Sequence, residues 1–220
     1  MNGDEGPTLP YGLVRSQIRD GDLLLFRGHG LVSRVISRVT DSPYTHVGIA
    51  AWWRTRLFLL EFREGKGGRA VWLSREIAGH EVWWARPLVA CSREQLHQVV
   101  AEALADLGRG YDYRGILRHW LWRRLGLSYV IDAPADVSPY YCSSWVASVF
   151  ANGLGIDLVP LVLDRLTAPG DIARSPRVEI RCRLTAESAA GSAAKIAGAP
   201  STSPGDVSGV TRRPPRERAP

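Results

Sequence analysis

Cysteine is scarce in this chain. There are three among 220 residues, at positions 91, 142 and 182, an odd number with no CxxC spacing. That argues against both a disulfide-built scaffold and a zinc ribbon, and no cofactor motif calls for a bound group. No apolar run approaches the roughly 18 residues that cross a bilayer as a helix. The opening MNGDEGPTLP is polar and acidic, without the basic and apolar regions of a signal peptide, so the expected location is cytoplasmic. There is no internal repeat. Charge of one sign is also in short supply. The net charge is +6, of which the last 35 residues carry +2 and the body +4. The arginines are scattered and fit no nucleic-acid motif, so no nucleic-acid partner is expected.

What is present is a large apolar inventory. Hydrophobic residues make up 45% of the chain and eight are Trp, enough to support a real core. Residues 1–17 read as a lead-in segment and 18–184 as one folded domain. From 185 to 220 the composition turns to Ala, Gly, Ser, Pro and Arg, the signature of a disordered tail.

Within the body, period-2 and period-3.6 patterns alternate. Leu23–Phe26 reads as a short buried strand and 31–39 as a helix, broken at Asp41-Ser42-Pro43 because the residue before proline is pushed out of the α region. Tyr44–Trp52 and Leu57–Phe62 read as consecutive strands. Ala70–Leu73 reads as a third strand, followed by a helical turn from Ser74, and Glu81–Pro87 as a fourth. Ser92 is placed to cap a helix running to Leu107, with Gln95 at the capping-box position. A basic, Trp-rich helix is expected over 116–127, where it can line an acyl-chain groove, rest on a membrane surface, or pack as a core helix with snorkelling arginines. Thr167–Ile172 reads as a turn and Val178–Leu184 as a last strand. The expected class is α+β, an antiparallel sheet with packed helices.

The stretch Ser138–Phe150, SPYYCSSWVASVF, carries the most chemistry. Cys142, Val146, Val149 and Phe150 fall on one helical stripe, which puts Cys142 in the first turn, with Ser143 and Ser144 available as caps. A thiol there feels the positive end of the helix dipole, which favours thiolate. A nucleophilic cysteine also needs a base and a group to orient that base. His29 and His80 sit beside glycines, His97 on a polar helix face, and His119 in the Trp-rich segment. His46 alone lies on an otherwise apolar strand. Pairing Trp52 with Leu57 puts Gly48 opposite Glu61 and leaves His46 on the face of Glu61, one diagonal step of about 7–8 Å away. A one-residue slip would bury Glu61 among aliphatics. A buried structural cysteine and a structural His–Glu pair are the competing readings of the same residues.

In order along the chain, GDLLLF (21–26), SPYTHVGIA (42–50), LLEF (59–62), YDY (111–113), YYCSSWVASVF (140–150) and TAPGDIARSP (167–176) resemble the circularly permuted papain-like hydrolases of the YiiX/YaeF type. These are relatives of the NlpC-type cell-wall peptidases and of lecithin:retinol acyltransferases. The resemblance implies a permuted papain-like, NlpC-like fold and a metal-free triad in which Cys142 is the nucleophile, His46 its base and Glu61 the group that orients the imidazole. It also implies cleavage of an amide bond in a peptide, a cell-wall fragment or an N-acyl amino acid. Tyr44, two residues before His46 and so expected on its face, and Tyr140 or Tyr141 can each supply a hydroxyl near the oxyanion or serve as a packing aromatic, and Asp112 is expected as no more than a helix cap. The acyltransferase branch generally places a second His where Glu61 stands, which favours the amidase side. A lipid acyltransferase or thioesterase, and a non-catalytic binding module on the same fold, are the alternatives.

Overall fold

The computed structural model describes residues 6–63, 65–109, 141–160 and 162–186. The expected helix over 116–127, Asp112, Tyr140 and the tail from 187 onward lie outside them.

Seven strands form one sheet in the order β1-β7-β6-β2-β3-β4-β5. They are β1 (Thr8–Pro10), β2 (Leu23–Arg27), β3 (His46–Trp53), β4 (Arg56–Arg63), β5 (Gly67–Trp72), β6 (Glu81–Pro87) and β7 (Val178–Thr185). All neighbours are antiparallel except β1 and β7. The central strand β2 is the continuous apolar run Leu23–Phe26, buried on both faces, which is why its pattern does not alternate.

Helices cover both faces of the sheet. On one side α4 (Arg93–Ala105), α5 (Cys142–Leu154) and the short α6 (Pro169–Arg174) pack over Leu23, Leu25, Val47, Ile49, Leu60 and Trp83. On the other, α1 (Tyr11–Val14) and α3 (Leu73–Gly79) contribute Val14, Leu73 and Ile77 to a second core with Leu24, Ala50, Leu57 and Leu59. The remaining helix, α2 (Leu31–Thr40), ends at Asp41, which adopts a left-handed conformation with φ 45°.

The β3–β4 register is the expected one: Trp52 faces Leu57 and Ile49 faces Leu60. The capping box of α4 is also present, with the Gln95 N–H donating to Ser92 Oγ at 3.3 Å and the Ser92 N–H donating to Gln95 Oε1 at 2.8 Å.

Four expectations need correction. Residues 6–17 are part of the folded body: β1 pairs with β7, and Val14 is buried in the second core. The third strand starts at Gly67, three residues before Ala70. The turn at Thr167–Ile172 contains a helix, α6, entered by Pro169 and capped where the Ala168 N–H donates to Asp171 Oδ2 at 2.9 Å. Proline at the first helical position gives up no hydrogen bond, so it starts this helix. Finally, α5 is not amphipathic at its start. Cys142 to Ala147 are all buried, because the two serines satisfy their hydroxyls internally.

The GDLLLF stretch owes its aspartate to the sheet. Buried Asp22 accepts from Trp84 Nε1 at 2.8 Å and from Arg86 Nε and Nη2 at 2.9 and 2.8 Å, which ties β2 to β6.

Candidate active site

Two pieces of backbone meet at the start of β3. Thr45 fixes the strand's entry, its N–H donating to the Phe26 carbonyl at 2.8 Å and its hydroxyl accepting from the Gly28 N–H at 2.9 Å. His46 follows, its ring tilted against Phe26 with centroids 5.3 Å apart. Cys142 arrives from the opposite core as the first residue of α5. The helix start is anchored by Ser144, whose hydroxyl accepts from the Tyr141 N–H at 3.1 Å and lies 3.0 Å from the Tyr141 carbonyl. Ser143 donates instead to the Thr167 carbonyl at 2.7 Å. It ties α5 to the segment before α6 rather than capping the helix.

The three singled-out side chains are brought together. His46 Nε2 lies 2.5 Å from Glu61 Oε2, and Cys142 is close enough to the same imidazole for each to shift the other's ionisation. With Nε2 engaged by the carboxylate, Nδ1 is the nitrogen left for the thiol. Gly48 makes the close pairing possible. A Cβ there would stand 2.5 Å from Leu59 Cδ1, 2.6 Å from the Leu60 carbonyl oxygen and 3.2 Å from Glu61 Cβ.

Glu61 is 0% exposed, and a lone buried carboxylate would not stay ionised. Two arginines keep it charged. Arg69, directly opposite on β5, donates to Glu61 Oε1 through Nε at 2.8 Å and through Nη2, and Arg63 Nη1 lies 3.6 Å from the same oxygen. Glu76 on α3 balances them, 3.0 Å from Arg63 and 3.7 Å from Arg69. Sequence reasoning missed this second layer. The signal was present, since Arg63 is two residues from Glu61 on one face, and Arg69 becomes its cross-strand partner once β5 begins at Gly67.

The electrostatics follow from this arrangement. Burial opposes the Glu61 charge, but the hydrogen bond from His46, the His46 charge, Arg69 and Arg63 outweigh it and lower the carboxyl to about 2. Burial likewise opposes protonation of His46, yet Cys142 and then Glu61 raise it to about 9. For Cys142 burial works against ionisation. The His46 charge and hydrogen bond, with backbone N–H groups of Val47 and Ser143 at the sulfur, lower its pKa nonetheless. Each charge thus favours its neighbour's: the imidazolium favours the thiolate, and the carboxylate favours the imidazolium. Cys91 and Cys182 go the other way, their thiols pushed up by burial.

The tyrosines divide. Tyr141 is the residue before α5, buried beside Cys142. Tyr44 precedes β3, so strand alternation does not place it on the face of His46. It packs edge-on against Trp83, centroids 5.5 Å apart, in the same core as Cys142. Tyr140 lies outside the described residues.

No family model matches this sequence, and no curated protein does either. Among solved structures, the chain is similar to the metalloprotein yiiX of Escherichia coli O157:H7, described as DUF1105. The TM-score is 0.58 at 18% identity, covering 77% of this chain and 99% of that one. A metal ion does not fit the donor set here. Both Glu61 oxygens are engaged, Oε2 by His46 and Oε1 by Arg69, and among the described residues no group of three His, Cys, Asp or Glu is placed to hold an ion. The likeness therefore stands for architecture: this chain has a YiiX-like α+β fold.

Proposed function

We propose that the protein is a cysteine hydrolase that cleaves an amide bond through a thioester, with the site arranged in the permuted papain-like manner. The observation that carries this reading is the imidazole of His46 held between Cys142 and the fully buried Glu61. Buried charge is expensive unless each member is paired, and this pairing leaves the sulfur as the reactive end.

Each step uses groups already in place. The Cys142 thiolate attacks the substrate carbonyl, forming an S–C bond and moving an electron pair onto oxygen. The Cys142 N–H, at a helix start where backbone donors have no intrahelical acceptor, is positioned to stabilise that oxyanion. As the intermediate collapses, the C–N bond breaks and Nδ1 of His46 gives its proton to the leaving nitrogen. Water then attacks the thioester and passes a proton to His46. The S–C bond breaks, releasing the acid and restoring thiolate and imidazolium. Glu61 holds the ring through Nε2 and keeps it protonatable. Peptides, cell-wall fragments and N-acyl amino acids are the amides to screen.

Iodoacetamide labelling against pH, mapped by mass spectrometry, tests the nucleophile. At pH 6 Cys142 should alkylate well ahead of Cys91 and Cys182, and His46→Ala should abolish that advantage. Equal rates at the three thiols in the folded protein would rule the reading out.

A further inference from the structure

The end of the sheet away from His46 holds a cleft. β3 runs from His46 to Trp53, which at about 3.3 Å per residue separates the two regions by roughly 23 Å. The cleft has a volume of about 520 Å³, within the range of roughly 300–1,000 Å³ usual for small-molecule sites. Leu57 and Ile77 supply apolar wall, Tyr11 and Ser74 supply hydroxyls, and Arg15 and Arg56 supply charge. Among the described residues, no acidic side chain lines it.

The two arginines are held by aromatic rings. The Arg56 guanidinium lies 4.5 Å from the ring centre of Trp72, and that of Arg15 lies 5.0 Å from the ring centre of Trp52. Arg15 also donates to the Thr55 carbonyl, at the hairpin tip where Arg54 takes a positive φ of 53°. Neither guanidinium has a carboxylate partner among the described residues, in contrast to Arg63, Arg69 and Arg86. A guanidinium stacked on a ring keeps its in-plane N–H donors free and pre-oriented, which suits a tetrahedral oxyanion. Trp72, one of the lining residues, is open to water at 50% exposed. Ala186 lines one wall.

We propose that this cleft binds a phosphate group carried on an apolar or aromatic body, with Arg15 and Arg56 clamping the phosphate and Trp72 covering the body. A lipid headgroup and a free organic phosphate share that chemistry. The test uses the full chain and its tryptophan fluorescence, titrated with phenyl phosphate, with phenol and with inorganic phosphate as competitor. Sedimentation with phosphatidylglycerol vesicles, against phosphatidylcholine vesicles, runs in parallel. Saturable binding of phenyl phosphate, absent for phenol and competed by inorganic phosphate, supports a free phosphate ligand. Sedimentation with the anionic vesicles alone supports the headgroup form. In either case Arg56→Gln and Arg15→Gln should each weaken binding at least tenfold while leaving Cys142 labelling unchanged. Arg56→Gln decides the matter if loss of the Thr55 contact disturbs folding in Arg15→Gln. Failure of both probes to bind, or binding that Arg56→Gln does not weaken, overturns the proposal.

Discussion

Glu61→Gln isolates the charge at the centre of the site with almost no change of shape. The carboxylate belongs to a 0% exposed residue and holds His46 and Arg69 at once. An amide presents one acceptor oxygen where the carboxylate presents two, so one partner must lose its acceptor. In the folded chain Glu61 titrates at about 2 rather than 4.5. A depressed carboxyl contributes stability that is complete above the unfolded value and is lost as pH falls through the folded one. At about 1.4 kcal/mol per pKa unit the contribution at pH 6 is roughly 3 kcal/mol. At pH 3 it shrinks to about 1 kcal/mol. His46, whose folded value is raised, is charged in both states below about pH 6, so it adds no slope in this window. Urea unfolding of wild type and Glu61→Gln at pH 6 and pH 3 should therefore show a stability gap that narrows by about 2 kcal/mol on acidification. A gap that stays constant between the two pH values would refute the claim that Glu61 is held ionised by its neighbours.

Two further substitutions test the frame around the site. Gly48→Ala drives a methyl into Leu59 and the Leu60 carbonyl, a clash expected to cost about 1–3 kcal/mol. It should also slow Cys142 alkylation at pH 6 by stretching the His46–Glu61 contact. A thermal melt and the labelling rate read the two effects, and an unchanged rate would mean that the β3–β4 spacing does not seat the imidazole. Asp22→Asn removes the counter-ion of Arg86 and should cost about 3–5 kcal/mol, lowering the melting temperature by about 10 °C. Labelling of Cys142 in the folded protein should not change. A melting temperature within a degree of wild type would contradict the role given to that buried pair.

The parts of the site legible in the sequence are those set by short-range pattern. Alternation over Tyr44–Trp52 and Leu57–Phe62 left only one register that kept Glu61 off the aliphatic face, and the His46–Glu61 contact followed from it. Helical spacing after Cys142 placed the thiol at a helix start for the same reason. Arg69 was missed because glycines at 65, 67 and 68 let β5 begin at several points, and only one of them sets Arg69 against Glu61. Tyr44 lies off the face of His46 because the bend through Ser42 and Pro43 interrupts alternation. The burial of Ser143 and Ser144 was hidden because a polar side chain signals solvent until its partner, here Thr167 or Tyr141, is known. The parallel pairing of β1 with β7 joins segments too far apart for local pattern to reveal.

That last pairing bears on the order in which the chain can fold as it is made. β7 lies between β6 and β1, so the amino-terminal strand has no neighbour in the sheet until the strand ending at Thr185 has been synthesised. The hairpins from β3 to β5 can close early and bring His46 to Glu61 well before Cys142 exists. A nascent chain halted short of Val178 would thus display the free edge of β6 and a stranded β1, a template for pairing with other chains. Completion of the carboxy-terminal strand is what seals the sheet.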